Sequence, residues 1–399
     1  MFVALRHTQY RHYMMATIFS LHGSWIQRII LGWLAWDLSG SSAFVGLVAF
    51  LLFGPAMVTG PFFGVWADRV DLRRAALAIQ LAIATLTGAI LLVYQAGMLS
   101  AALLVVFSLA LGIVLSAYNP VRMALSPTLV AREHIPNTVA LGSLAFNMAR
   151  ILGPAIGGWL IETGGPLLAL TVDFLCYLPL IATLCVLRPE PRAPLPGAEP
   201  KVLAALAGGA RHAFSSRTIR LAILLTLIYS LIGRGVLEIL PAIADGVFGR
   251  GAAGLGQITA ASGLGALGAA VFQMWSSTRA RSPEVPRSGI LACGAGLVLV
   301  LLLGQGESWE TALAIAALLG ATGTMVGISM QVSIQMGLPD RYRGRVMSLW
   351  SLVGIGGSAL GALLLGWLVD LAGFETALSL TAGLSLLAMA LVMSADRRR

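Results

Sequence analysis

Twelve apolar runs, most of them near 20 residues long and separated by short polar loops, divide this chain of 399 residues. An α-helix rises about 1.5 Å per residue, so ~20 residues cross the ~30 Å hydrocarbon layer of a membrane. Every backbone N–H and C=O is then satisfied inside the segment. The runs lie at about 13–36, 44–66, 75–94, 99–118, 138–161, 167–187, 221–243, 255–275, 288–303, 311–330, 346–369 and 375–393, and are numbered spans 1 to 12. With 58% hydrophobic and 11% charged residues and a mean hydropathy of +0.87, the chain is not a water-soluble globule. The expected fold is all-α and polytopic, with twelve transmembrane helices in two pseudo-symmetric six-helix halves.

Charge locates the two faces. The strap Gly60 to Arg74, GPFFGVWADRVDLRR, joins spans 2 and 3, and three of its last six residues are basic. All 26 Lys and Arg except Arg28, Arg150, Arg234 and Arg250 fall in the N-terminus, the loops after spans 2, 4, 8 and 10, the 188–220 linker or the tail Arg397, Arg398, Arg399. The twelve-span count puts all of these on one side. The opposite loops are acidic, with Asp37, Glu162, Asp245, Glu307, Glu310, Asp370 and Glu375. This asymmetry places both termini in the cytoplasm of a multi-pass plasma (inner) membrane protein in contact with the lipid bilayer. It also accounts for the net charge of +9 without nucleic acid, since no basic patch is interleaved with exposed aromatics. Cys176, Cys185 and Cys293 fall inside apolar runs and read as reduced core residues without metal-ligand spacing. Span 1 is too long for a cleaved signal and has no small-residue cleavage site, so it is expected to remain.

Residues 188–220 are the one long polar segment. Prolines in RPEPRAPLPGAEPK favour an extended linker, and 202–214 suits a short helix on the membrane surface. The divisions are therefore 1–187, 188–220 and 221–399. A shift of 208 residues lays Gly153, Gly158, Trp159 and Leu160 over Gly361, Gly366, Trp367 and Leu368, with Glu162 over Asp370. Spans 5 and 11 are thus counterparts. The same shift puts Gly60 on Gly268 and Arg73 on Arg281 but Asp68 on Ser276, a worn second copy of the strap. Paired six-helix repeats are a transporter arrangement with substrate near the midplane.

The strap resembles the loop 2-3 signature of the major facilitator superfamily through Gly60, Gly64, Asp68, Arg69, Arg73 and Arg74, although the usual glycine after the Asp-Arg pair is replaced. GPAIGG in span 5, with Gly153, Pro154, Gly157 and Gly158, is similar to the end of the exporter-associated motif, with Ala140 and Ala149 standing where that motif has glycines. WIQR at Trp25 to Arg28, YNPVRMALSPTLV after span 4 and LPDRYRGRV at Leu338 to Val346 resemble the enterobactin-exporter and macrolide-efflux branch, the transmembrane secretion effectors. The resemblance covers nearly the whole chain. It implies a secondary transporter that exports a small organic molecule by alternating access of two halves. It also implies that Asp68 meets the start of span 11 near Arg345 and Val346, where helix N–H groups favour an anion, with Arg69 and Arg73 bracing the loop. The alternative is that the strap arginines only set topology.

Polar residues inside spans are the substrate-site candidates, because ionisable groups in membrane helices are costly and face a cavity or a partner. They are Gln27 and Arg28 in span 1, Asn147 and Arg150 in span 5, and Arg234 and Glu238 in span 7. Two arginines without an acid in their own turn, Arg28 and Arg150, favour an anionic or strongly hydrogen-bonding ligand. Arg150 has the alternative of bracing the GPAIGG bend. Arg234 and Glu238 are four apart, so an intrahelical ion pair is the structural alternative for them. Trp25, Trp33, Trp36 and Tyr229 are candidates for an apolar lining, against the commoner role of tryptophan at interfaces.

Proton coupling needs a carboxylate that exchanges protons, and Asp173 and Glu238 are the buried candidates. The superfamily's arginine motif in span 4 is missing, with Ser108 in its place, so proton antiport rests on the resemblance. No GxxxxGK[ST] is present, and no cofactor is expected. Gly263, Gly265 and Gly268 spell G-x-G-x-x-G inside an apolar run with no preceding strand, which reads as helix packing. His22 has no second ligand at metal spacing. Neither paired carboxylates nor a nucleophile-base set emerges, so the chain is not read as an enzyme. The reading is an exporter of a siderophore-like or other anionic metabolite, or of a drug, with protons as coupling ion and the chain a monomer. An importer and a non-transporting membrane scaffold are the alternatives.

Overall fold

Hydrocarbon offers no partner for a backbone amide, and the chain answers with helix after helix. The computed structural model describes residues 3–67, 69–189, 211, 213–276, 284–338 and 340–397. Asp68, nearly all of the proline-rich linker and its surface helix, Arg281, and Arg398 and Arg399 lie outside the described residues. The helices are α1 Thr8–Ser39, α2 Ser42–Phe53, α3 Pro55–Ala67, α4 Leu72–Gln95, α5 Ala101–Leu125, α6 Ile135–Val186, α7 Arg217–Tyr229, α8 Gly251–Ser276, α9 Arg287–Gly304, α10 Trp309–Met336, α11 Asp340–Ala372 and α12 Phe374–Arg397.

Ten segments among the described residues are long and apolar enough to cross a membrane. One of them, α6, has 52 residues, about 78 Å of helix against a ~30 Å hydrocarbon layer. It folds at Gly165, whose φ of 71° is open to glycine alone at low cost, and Pro166 then starts the second arm. Spans 5 and 6 are these two arms. The 32 residues of α1 are ample for a crossing, but His22, Gln27 and Arg28 lower its hydropathy and keep it outside the ten.

Two expected boundaries differ. Span 2 is split into α2 and α3 at Gly54, because Pro55 has no N–H to give Leu51 O. The freed carbonyl is where α5 comes closest: a Cβ on Gly112 would fall onto Leu51 O. Span 4, expected to stop at Asn119-Pro120, instead continues as α5 to Leu125 with Pro120 inside. One missing donor is a smaller loss than exposing a turn of backbone to lipid. Arg122 folds back over this turn, its Nη2 donating to Asn119 Oδ1 at 3.2 Å.

The chain clusters into two compact units. One comprises Met1–Leu38 and Leu51–Ala198, the other Ser39–Phe50 and Glu199–Arg399. Most of α2 therefore packs with the second unit. Small residues set the closest helix approaches in each. In the first unit Gly153 rests on Trp25, with room for a Cβ only 2.5 Å from the tryptophan Cβ, and Gly157 lies against Ile26 and Ile29. In the second, Gly361 meets the backbone of Leu231, so the counterpart glycine makes the counterpart contact. Gly265 of the G-x-G-x-x-G run lies on Ala317 O and Gly320 on Ser262 O, joining α8 to α10 backbone to backbone. Of that run, Gly265 is the packing contact, and a Cβ on Gly268 would meet nothing described within 4 Å.

Candidate functional site

The strap begins as α3 and ends as the first turn of α4. Asp71 caps α4, its Oδ1 accepting from Arg74 N at 2.9 Å. Arg73 Nη1 donates to Leu184 O at 3.3 Å and Cys185 O at 3.1 Å, satisfying carbonyls at the end of α6 that no helical N–H reaches. Arg69 is exposed, and nothing described lies within 4 Å of a Cβ built on Gly60 or Gly64. The Asp71 cap was signalled by an aspartate directly before an apolar run; the Arg73 contact, across 111 residues, was not.

Four predicted residues of the first unit sit on α1 and the first arm of α6. Gln27 is 2% exposed and donates through Nε2 to Thr87 Oγ1 of α4 at 2.6 Å. Arg28 is half-buried, its guanidinium 5.0 Å from the Trp25 ring and 4.9 Å from the Phe53 ring, both within cation–π range. Asn147 is exposed and turns back to Ser143 O of its own helix at 2.8 Å. Arg150 is half-buried one turn before Gly153, on the arm that Trp25 and Phe146 hold to α1 with ring centroids 5.9 Å apart. The structure thus brings Trp25, with Arg28 over its ring, and the GPAIGG glycines to one α1–α6 junction.

Asp173 joins Gln27. It lies wholly buried on the second arm of α6, and a Cβ on Gly23 of α1 would stand 3.2 Å from its Oδ1 and 3.3 Å from Tyr177 Cζ. Among the described residues neither carboxylate oxygen has a hydrogen bond of good geometry, and the same holds for the Tyr177 hydroxyl beside it and for Gln80 Nε2. Ser20 Oγ donates to Gln80 Oε1 at 3.3 Å on the same α1–α4 seam. Thr87, Tyr177, Ser20 and Gln80 were not foreseen; hydropathy averages such residues into their apolar surroundings.

In the second unit, span 7 leaves α geometry after Tyr229. Ser230–Arg234 is π-helical, Gly235–Glu238 is a 3-10 turn and Ala242–Val247 is π-helical again. Arg234 and Glu238 are both half-buried on this stretch, and the four-residue spacing between them is laid out on 3-10 rather than α-helical backbone. Such interruptions recur where helices carry function. Arg234 Nη2 approaches Gly327 of α10, 3.1 Å from where a Cβ would be. Tyr229, a candidate for the apolar lining, is instead 1% exposed and hydrogen-bonds Leu319 O at 3.1 Å and Thr322 Oγ1 at 3.0 Å. Its hydroxyl needed a partner once buried, and α10 supplies it. His22 bonds Ile18 O at 2.8 Å and is a structural histidine.

Asp370 ends α11 against the start of α2. Oδ1 accepts from Ser42 N at 2.8 Å, and Oδ2 accepts from Ser41 Oγ at 2.5 Å and Ala43 N at 3.0 Å. Below it Gly46 and Gly366 bring the two backbones together at Ala362 O and Ser42 O. The apolar dent beside them, lined by Phe44, Leu47, Leu363, Leu364 and Trp367, contains none of the predicted polar site residues.

Among solved structures, the chain matches a bacterial homolog of the human lysosomal transporter Spinster in an inward-facing form, with a TM-score of 0.73 at 14% identity over 96% of this chain and 95% of that one. It matches the nucleoside transporter NupG with a TM-score of 0.72 at 14% identity over 97% and 98%. This is the fold of a major facilitator transporter, a multi-pass membrane protein. A family model described as transmembrane secretion effector matches residues 1–398. The enterobactin exporter EntS of Shigella boydii serotype 18 is 30% identical over 331 residues, covering 81% of this chain and 76% of that protein, and EntS of Escherichia coli O1:K1 is 29% identical over the same shares. The protein belongs to the transmembrane secretion effector family.

Proposed function

We propose that the protein exports a small, anionic, siderophore-like metabolite across the inner membrane by alternating access driven by proton antiport, with both termini in the cytoplasm. The observation that carries this reading is the likeness to enterobactin exporters over 331 residues, running through both halves. The candidate site fits such a cargo. Arg28, Arg150 and Arg234 are half-buried cations within apolar helices, and an anionic, hydrogen-bonding ligand matches planar guanidinium donors better than a neutral apolar one. Arg28 lies beside two aromatic rings that would also receive a catechol or other aromatic face.

The strap acts as the conformational latch of this cycle, with Asp68, outside the described residues, as its anion and Arg69 and Arg73 flanking it. Among the described residues nothing lies within 4 Å of a Cβ on Gly60 or Gly64, which is consistent with a helix closing on α3 in another state. Arg73 fixes the loop to α6 so that strap and bundle move together.

The test compares secreted and intracellular siderophore in strains with and without the gene, then with Arg28→Ala and Arg234→Ala. Export is expected to fall at least tenfold in either variant at unchanged protein level, and Asp68→Asn to slow turnover with substrate affinity kept. Unaltered metabolite distribution on deletion removes the export reading. Inward flux in loaded vesicles would make the protein an importer.

A further inference from the structure

We propose that Asp173 is the proton-binding group of the transport cycle, that it holds its proton in the conformation described, and that Gln27 transmits its charge state to α1. This rests on the proton-driven reading above and gives the proton a place.

The argument starts from burial without compensation. Asp173 is 0% exposed, and among the described residues neither of its oxygens accepts a hydrogen bond of good geometry, although the Tyr177 hydroxyl and the Gln27 amide stand beside it. The other aspartates with described contacts differ. Asp71 accepts from Arg74 N, Asp245 from Gly251 N, Asp370 from three donors, and Asp396 from Arg217. The groups facing Asp173 are Tyr177 and Cys176 from its own arm and Gly23 and Gln27 from α1; behind them Ser24 meets Tyr177 and Thr87 of α4 meets Gln27. No Lys, Arg or His is among these described neighbours. An isolated carboxylate in such a medium is costly enough that the group takes up a proton instead.

A carboxyl kept solely for packing would be replaced by an apolar residue at no loss, so its presence calls for a state in which it is charged. When the site meets water, the O–H bond of Asp173 breaks heterolytically. The proton passes to water of the facing compartment and the electron pair stays on the carboxylate. Two donors already stand beside that carboxylate, the Tyr177 hydroxyl and the Gln27 amide, which also donates to Thr87 at 2.6 Å. The Gln27 amide has two N–H groups, so the one not given to Thr87 ties α1 to the charged carboxylate on α6, and the next residue on α1 is Arg28. Gln27 is therefore a positioning residue, one peptide from the candidate substrate arginine.

The test uses infrared spectroscopy of the full-length protein in lipid at neutral pH without substrate. A carboxylic-acid C=O stretching band is expected in the wild type and is expected to vanish in Asp173→Asn. A band that survives unchanged in Asp173→Asn overturns the proposal. Should that variant not insert, Tyr177→Phe and Gln27→Leu are expected to displace the band, and no displacement in either overturns it. In proteoliposomes with enterobactin as probe, Asp173→Asn is expected to keep substrate exchange and to lose accumulation driven by a pH gradient; undiminished accumulation also overturns it. If the wild type carries no enterobactin, the cargo reading fails while the infrared result still decides on Asp173.

Discussion

Removing the Asp370 carboxylate should loosen Ser39–Phe50 from α11. Asp370 holds that segment by three hydrogen bonds, two of them to backbone N–H groups in the first turn of α2. A buried hydrogen bond to a charged group contributes about 1.5–3 kcal/mol, but two of these three are solvent-exposed, so water replaces much of what is lost. An N-terminal cap is worth ~1 kcal/mol. A sum of about 1–2 kcal/mol follows for Asp370→Ala, which changes a two-state equilibrium by a factor of roughly 5–30. Asp370→Asn keeps one acceptor oxygen but loses the charge that suits a helix N-terminus, and should fall between. The packing of Gly46 and Gly366 is untouched by either change, so the fold should persist. The assay places a single cysteine at Leu47, half-buried in the dent beside α11, in a background without Cys176, Cys185 and Cys293, and follows its reaction with a membrane-impermeant maleimide. Labelling should accelerate by that factor in Asp370→Ala. Rates indistinguishable from the parent would refute the idea that the carboxylate holds α2 to α11.

Two further outcomes follow from packing in the second unit. Gly361→Val places a Cβ on Leu231 O and should lower the melting temperature in detergent, an overpacking cost of about 1–3 kcal/mol or more, whereas Gly383→Val, with nothing described within 4 Å, should leave it unchanged. Tyr229→Phe removes the donor to Leu319 O and should cost about 1–3 kcal/mol in stability without changing substrate affinity, which a binding assay beside a thermal melt would separate.

The sequence by itself determined the class, the all-α membrane fold and most of the spans. Hydropathy and helix length are local quantities, and lipid leaves the backbone one answer to them. The G-x-G-x-x-G run and the Gly153–Gly361 correspondence were legible for the same reason, because an apolar helix with small residues at one face has few other uses. The errors were local as well: Pro55 breaks its span, whereas Pro120 does not, and the difference lies in how α5 packs beside α2 and α3. Tertiary structure alone decided which polar residues meet. Gln27 reaches Thr87 across 60 positions, Tyr229 reaches Leu319 across 90 and Ser41 reaches Asp370 across 329. In each the partner depends on helix rotation and crossing, which no hydropathy window contains. Asp173 could be named from the sequence as a buried acid; that it stands without a cation, beside Gln27 and the Tyr177 hydroxyl, became visible only when α1, α4 and α6 were packed together.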